Sequence, residues 1–282
     1  MGIAKHPSRV SLPIIDKPYP PILTFPMQRF PKVGRAAWEQ RIREGKVFDD
    51  EGAPVSEETP YRPQKRLFYY REVTQEPIIP LQEHVLFQNN ELLVACKPPF
   101  LPVTPSGPYV NECLLNRLRD KTGNNDLVPL HRIDRETSGL VLFSMNKATR
   151  GCYGQLFLSG RIEKEYDALS ELAERPQEDE WVVENRLVRD ETWFRSKVVE
   201  GDVNARSRIR LVDFKNNRAR FLLFPVTGKK HQLRVHMSGL GFRITTDRYY
   251  PIPLDKQDDD LNQPLQLIAR RVKFIDHVPG QP

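Results

Sequence analysis

The stretch "VPLHRIDRETSGLVLF" (residues 128–143) places an acid between two arginines, directly before an apolar run. The run "SGLVLFS" predicts a buried strand. Asp134 therefore falls at a loop-to-strand junction, where a carboxylate can be held rigidly and still reach a pocket. Its neighbours Arg132 and Arg135 are expected to favour the ionised form and to lower its pKa. An exposed ion-paired turn is the alternative, because surface pairs contribute only about 0–1 kcal/mol and place little demand on position.

Strand and helix signals alternate around this stretch from residue 84 onward. Asn-Asn turns predict hairpins within "VLFQNNELLVACK" and "SRIRLVDFKNNRARFLLFP". Helices are predicted for "NECLLNRLRDKTG", which Gly123 ends, for "ATRGCYGQLFLSG" and for "KKHQLRVHMSGLG", and a strand for "RIEKEYDALS". Strands that arrive in hairpins favour a mostly antiparallel or mixed sheet, so the fold class is predicted as α+β.

The N-terminal part of the chain has a different organisation. Residues 1–31 are rich in proline, so we expect an extended segment that is not a domain. Residues 32–75 predict a small module with a helix at 34–45, a hairpin and a strand at 65–73. Residues 76–83 are the predicted linker, and residues 84–282 the large α+β domain.

The charge distribution favours a partner that carries phosphate. The chain has 43 Lys+Arg against 37 Asp+Glu, a formal net charge of +6. Acids concentrate in 171–185 and 255–260, whereas "TGKKHQLRVHMSGLGFR" (227–243) contains none. Such segregation predicts a basic face that attracts phosphate.

Composition argues against several other classes of protein. Three widely spaced cysteines indicate neither a disulfide framework nor a cysteine-based zinc site, and the histidine spacings match no zinc signature. No apolar run reaches the ~18–20 residues of a spanning helix, and the N-terminus lacks the apolar region of a signal peptide. A soluble, cytoplasmic protein without a bound metal or membrane partner is expected.

Three motifs, in order along the chain, resemble those of the RluA-type pseudouridine synthases. "HRIDRETSGL" resembles the catalytic motif of that family, with Ile133 in place of leucine. "EKEYDAL" is similar to its Lys-x-Tyr strand, and "TGKKHQLRVHMSGLGF" to its Gly-Arg-Thr-His-Gln-Ile-Arg-Val-His segment. The closing "LIARRVKFIDHV" also resembles the family pattern. The resemblance covers roughly residues 84–278, and three ordered motifs are far more specific than one.

The chain departs from the family pattern at a few positions. Lys229 and Lys230 stand where the family has Arg and Thr, which keeps positive charge but loses bidentate geometry. Thr246 replaces a glycine. "CKPPFLPVTPSG" resembles the family's Lys-Pro-x-Gly-x-x-Val-His-Pro stretch but has Phe100 and Thr104 at the glycine and histidine. We expect these changes to affect shape more than the nucleophile.

The resemblance implies a bent, mostly antiparallel mixed sheet flanked by helices, and an enzyme that isomerises uridine in RNA without a cofactor or metal. It implies that Asp134 is the nucleophile, that Tyr166 packs against the base and removes a proton, and that Arg234 pairs with Asp134. Arg132 falls on the arginine that fills the space left by the flipped base. The RNA-binding residues implied in this domain are Arg132, Arg135, Lys164, Lys229, Lys230 and His231.

The N-terminal module resembles the S4-like RNA-binding fold. Its candidate phosphate contacts are Lys32, Arg35, Arg41, Arg43 and Lys46. Ribosomal RNA is therefore the favoured partner, transfer RNA is possible, and a monomer is expected. Two alternatives stay open: a catalytically silent RNA-binding or RNA-remodelling protein of this fold, and a hydrolase of the nucleoside bond, since an Asp near a ribose C1′ could form a covalent intermediate open to water.

Overall fold

The chain forms two compact units in the computed structural model, which describes residues 2–16, 21–31, 33–192, 194–255 and 258–276. Unit 1 comprises residues 1–77 and 105–111, and unit 2 comprises residues 78–104 and 112–282.

Unit 1 is built from short strands and two helices around an aromatic core. Its elements are β1 (Gly2–Ile3), β2 (Ser8–Ser11), α1 (Thr24–Arg29), α2 (Arg35–Arg43), β3 (Val47–Phe48), β4 (Arg66–Tyr69) and β5 (Glu72–Val73). Strands β2, β4 and β3 form one antiparallel sheet, and β1 pairs with β5. The predicted helix at 34–45 is confirmed as α2, whose Trp38 is 1 % exposed.

The structure differs from the prediction for residues 1–31. Leu12, Ile22 and Phe25 are buried in the same core as Trp38 and Leu67. Strand β2 and helix α1 therefore belong to unit 1. The prolines restrict the backbone, but the apolar residues between them bury against the aromatic core, and the hydrophobic gain decides the outcome.

Unit 2 is organised around one large mixed sheet. Its elements are β6 (His84–Gln88), β7 (Leu92–Lys97), α3 (Leu114–Thr122), β8 (Val128–Pro129), β9 (Ser138–Ser144), α4 (Arg150–Leu158), β10 (Glu163–Glu171), β11 (Glu180–Arg189), β12 (Ser196–Val199), β13 (Ala205–Lys215), β14 (Arg218–Pro225), α5 (Gln232–Gly239) and β15 (Leu267–Lys273). The strand order is β12-β11-β13-β14-β10-β15-β9-β7-β6, and β8 also pairs with β9. Among the strands that the structure describes, only β15 and β9 pair in parallel. The predicted α+β class with a mostly antiparallel mixed sheet is confirmed.

Gly139 allows the opening stretch to enter the sheet. In the parallel pairing of β9 with β15, Gly139 lies opposite Ala269. Its φ is +105°, and a Cβ at this position would lie 2.2 Å from the carbonyl oxygen of Ala269. Any other residue would collide with the neighbouring backbone. The loop that carries Asp134 therefore joins β9 where two backbones approach closely.

Helix α5 packs on one face of this sheet. Its Leu233 and Met237 belong to a buried cluster with Ile209 of β13 and with Phe221 and Leu223 of β14. This packing fixes the start of the helix relative to the sheet, and so sets the position of the predicted basic segment.

Candidate active site

Asp134 lies in the loop between β8 and β9, with its side chain 26 % exposed. Burial raises the pKa of its carboxyl group to about 6, although the charge of Arg234 opposes this rise. The predicted lowering of the pKa is wrong. Arg135 directs its guanidinium to Asp259, with N–O distances of 2.5 and 2.9 Å, and the side chain of Arg132 is exposed to solvent. The two arginines that flank Asp134 in the sequence therefore form no ion pair with it in the structure.

Arg234 is the central cation near Asp134, but its direct partner is another acid. From α5 it donates two hydrogen bonds to Asp247, at 2.7 and 2.6 Å, and it lies 3.4 Å from Glu136. Both Arg234 and Asp247 have side chains that are 1 % exposed. Arg234 therefore acts on Asp134 through its electric field, whereas the sequence predicted an ion pair between the two.

Glu136 shares this charged cluster. Burial alone would raise its pKa, but the charges of Arg234 and Arg135 hold the pKa at about 2. Arg135 lies 3.0 Å from the Glu136 carboxylate. Glu136 is therefore a permanent anion next to Asp134, and it adds to the rise of the Asp134 pKa.

Tyr166 projects from β10 toward the same site. Burial raises the pKa of its phenol, and the negative charge of Asp134 raises it further. In the sheet, Tyr166 lies opposite Ala269, which lies opposite Gly139. One small residue, Ala269 of β15, thus lies between Tyr166 and the strand that Asp134 precedes. Asp134 thus lies within electrostatic range of both Tyr166 and Arg234.

Lys97 is a buried cation that the sequence reasoning missed. It ends β7, is 0 % exposed, and donates hydrogen bonds to the carbonyl oxygens of Pro98 at 2.8 Å and Arg135 at 2.9 Å. Burial lowers its pKa to about 7, while Glu136 and Asp134 act in the opposite direction. The Lys-Pro pair in "CKPPF" was the available signal. Lys97 braces the loop that carries Asp134.

The other predicted RNA-binding residues of unit 2 lie in different settings. Lys164 donates to the carbonyl of Thr227 at 3.3 Å, and burial lowers its pKa. Lys230 carries its charge near Asp134. Lys229 and Lys230 line a cavity of about 430 Å³ together with Leu187, Val188, Arg189 and Ser196. His231 is buried, with Nε2 3.9 Å from Asp134 Oδ1.

The candidate phosphate contacts of unit 1 do not all lie at the surface. Arg35 is exposed and pairs with Glu39 at 2.5 Å. Arg41 has an 8 % exposed side chain, lies 3.6 Å from Glu72 and stacks over Trp38, so it is a core residue. Lys46 is half-buried and forms ion pairs with Glu44 and Glu72. Arg43 is exposed, and Lys32 lies outside the described residues.

Neither a metal site nor a membrane-spanning helix occurs in the described part of the chain. No group of three or more His, Cys, Asp or Glu side chains there could hold a metal ion. No described helix combines the length and the apolar character needed to cross a membrane.

Comparison with known proteins gives a consistent result. Residues 91–239, more than half of the chain, match the family model for RNA pseudouridylate synthase. The "Dual-specificity RNA pseudouridine synthase RluA" of Pasteurella multocida is 31 % identical over 194 residues, covering 67 % of this chain and 85 % of that protein. An "Uncharacterized RNA pseudouridine synthase" of Synechocystis is 28 % identical over 230 residues, covering 81 % and 79 %.

Solved structures agree with the fold. "Human RNA Pseudouridylate Synthase Domain Containing 4" superposes with a TM-score of 0.52 at 26 % identity, over 67 % of this chain and 83 % of that chain. "Human RNA Pseudouridylate Synthase Domain Containing 1" gives a TM-score of 0.55 at 22 % identity, over 69 % and 79 %. With the motifs, the sheet and the family match in agreement, the chain belongs to the RluA-type RNA pseudouridine synthases, a family of RNA-modifying isomerases.

Proposed function

We propose that the chain converts specific uridines of ribosomal or transfer RNA to pseudouridine, with Asp134 as the nucleophile and the target base flipped out of its stack. The observation that supports this proposal best is the setting of Asp134. Its carboxylate has a pKa of about 6, so it is ionised at neutral pH. It lies near the phenol of Tyr166 and near several cations, of which Arg234 is bound directly to Asp247.

The reaction requires little from the protein beyond these groups. The N1–C1′ bond breaks, the uracil turns, and C5 bonds to C1′; N1 gains a proton and C5 loses one. No electron acceptor takes part. Extruding the base costs a few kcal/mol. An exposed arginine next to the site, Arg132, can offset part of that cost by stacking in the vacated space.

Tyr166 is proposed to pack against the flipped base. In the free enzyme the raised pKa keeps its phenol protonated. Once Asp134 forms a covalent bond, its negative charge disappears, and the pKa of the phenol falls. The phenol therefore ionises more easily after the nucleophile has reacted. Once its own proton has passed to solvent, the phenolate is able to accept a proton from the base.

RNA contacts are proposed for the basic residues around the site. These are Arg132, Lys164, Lys229 and Lys230, with Arg135 holding the loop through Asp259 and Glu136. In unit 1, Arg35 is the better candidate because Arg41 is buried in the core. The S4-like character of residues 32–75 stays a prediction, and it favours ribosomal RNA as the substrate.

Substitution of Asp134 tests the nucleophile. Asp134→Asn should abolish pseudouridine formation in tritium-release assays on labelled RNA, while the RNA affinity changes by less than about tenfold. Asp167→Asn is the matched control, because Asp167 is bound by Arg220 and Arg270 and takes no part in the proposed chemistry. Substantial product formation by Asp134→Asn would refute the role.

Mapping of modified sites tests the substrate and the alternatives. Carbodiimide labelling of RNA from cells with and without the gene should reveal at least one pseudouridine that depends on it. A silent RNA-binding protein would leave the map unchanged. A hydrolase would release free uracil and leave an abasic site, whereas an isomerase leaves the mass of the RNA unchanged.

A further inference from the structure

His231 adopts a backbone conformation that is costly for a residue with a side chain. It is the N-cap of α5, with φ 56° and ψ 18° in the left-handed region. Such conformations cost of order 1 kcal/mol or more and persist where the surroundings fix them. The ring is 6 % exposed, stacks on Tyr249 at 5.7 Å and 19°, and meets Tyr250 edge-on at 5.7 Å. The position of this imidazole is therefore tightly determined.

The hydrogen bonds of Tyr250 determine the tautomer of His231. The backbone N–H of Ser196 donates to the Tyr250 hydroxyl oxygen at 2.8 Å. The same hydroxyl lies 2.9 Å from His231 Nδ1. Within the described residues, the phenolic hydrogen satisfies its hydrogen bond only by donating to Nδ1. Nδ1 is then an acceptor, and the ring proton of the neutral imidazole resides on Nε2.

The ring is neutral, and its Nε2 faces the nucleophile. Burial and the charge of Arg234 lower the pKa of His231 to about 3. Nε2 lies 3.9 Å from Asp134 Oδ1. A hydrogen bond needs about 2.9 Å, so the two groups must approach by about 1 Å, and catalytic hydrogen bonds often tighten by such amounts when the substrate binds.

We propose that His231 is a positioning residue for Asp134, donating Nε2–H to its carboxylate when RNA is bound, and that Tyr250 sets the tautomer that permits this donation. The inference rests on the proposed role of Asp134 as nucleophile. A neutral donor orients the carboxylate and favours its ionised form without adding a cation that would pair with it.

Several charged groups face Asp134, and the effect of His231 adds to theirs. Arg234 projects from α5, Lys230 from the preceding loop and Lys97 from β7, while Glu136 opposes them from the same loop as Asp134. His231 is itself faced by Arg234, Glu136, Lys230 and Asp247. Because every one of these groups remains in a His231 variant, the difference between its pH profile and that of the wild type isolates the lost donor.

The tautomer can be measured without catalysis. Long-range ¹H–¹⁵N spectra of the full chain labelled with ¹⁵N-histidine should show a neutral Nε2–H tautomer for His231, assigned by its loss in His231→Gln. Tyr250→Phe should yield a mixture of tautomers. An Nδ1–H tautomer in the wild-type protein would overturn the inference, even where Asp134→Asn is inactive as the proposed function requires.

The pH profile of single-turnover isomerisation tests the consequence. His231→Leu should slow the reaction at pH 7 about 10- to 100-fold, the range for a hydrogen bond to a charged group. It should also move the acidic limb upward by about one pH unit, because the ionised carboxylate loses a donor. His231→Gln, whose amide can donate from a similar position, should recover most of the rate. Tyr250→Phe should shift the limb in the same direction by a smaller amount.

His236→Leu is the matched control. His236 lies on the same helix, is 1 % exposed, and its Nε2 contacts Asn185 at 3.2 Å. This variant should lose stability without moving the acidic limb. An unshifted limb in both His231→Leu and Tyr250→Phe, or an equal loss of rate in His231→Gln and His231→Leu, would show a merely structural role. An active Asp134→Asn would instead refute the proposed function.

Discussion

Substitution of Asp134 by asparagine should stabilise the protein at alkaline pH while it abolishes the activity. Burial raises the pKa of the folded-state carboxyl from 3.8 to about 6. The folded state therefore binds this proton more tightly than the unfolded state does. The associated stability is fully present below about pH 4 and is lost as the pH rises through about 6.

The size of the effect follows from this shift. A difference of about two pKa units corresponds to up to about 3 kcal/mol of unfolding free energy at pH 8. The amide of asparagine has no charge to desolvate, so the variant should gain this amount at pH 8 and almost nothing at pH 4. For a unit of this size, about 2–4 °C per kcal/mol gives a rise in Tm of up to about 6–12 °C.

Scanning calorimetry of both proteins at pH 4, 6 and 8 measures the difference. Asp167→Asn is a control with the opposite sign, because hydrogen bonds from Arg220, and then from Arg270, lower the pKa of Asp167. Its stabilising contribution is present at pH 8 and lost as the pH falls, so that variant should be less stable at pH 8. A pH-independent difference for Asp134→Asn, or a lower Tm at pH 8, would contradict the buried-carboxylate reasoning.

Three further predictions concern the packing and charge of the site. Arg234→Ala leaves the buried Asp247 carboxylate without its cationic partner and should lower the unfolding free energy by about 3–5 kcal/mol in urea titrations. The double variant with Asp247→Ala should lose less unfolding free energy than the two single variants together. Gly139→Ala should lower the free energy of unfolding by about 3 kcal/mol or more, because the new Cβ would collide with the backbone of Ala269. Gly154→Ala, at an open position in a helix, should instead raise it by about 0.5–1 kcal/mol. RNA affinity should fall about 50-fold between about 50 and 200 mM salt if four phosphates are contacted, and a flat filter-binding titration would exclude a basic groove.

Local signals predicted much of unit 2. Asn216 and Asn217 both have positive φ, at 52° and 59°, as a tight Asn-Asn hairpin requires. Gly123 ends α3 in the left-handed conformation, with φ 68°. In each case a few neighbouring residues decide the backbone, so the sequence pattern is sufficient.

Long-range pairing was beyond such signals. The parallel pairing of β9 with β15 places Gly139 opposite Ala269. Local sequence patterns do not predict which strands will pair. Strands β11 and β12 were also missed. The segment "ELAERPQEDEWVVEN" was noted only for its concentration of acids, yet Glu180, Glu184 and their neighbours alternate with less exposed residues along a regular strand.

The electrostatics of the site explain why the charge pattern alone misled the prediction for Asp134. The prediction of a lowered pKa rested on the neighbours Arg132 and Arg135, but Arg132 is exposed and Arg135 binds Asp259. The charge of Arg234 is also partly compensated, because Asp247 binds Arg234 directly and Glu136 lies beside it. Burial raises the pKa of the Asp134 carboxyl group to about 6, the charge of Arg234 opposes this rise and the charge of Glu136 adds to it, so Asp134 is still ionised at neutral pH but more basic than an ordinary aspartate. Since nucleophilicity rises with basicity, burial and the charge of Glu136 are expected to make Asp134 more reactive in its proposed role as nucleophile.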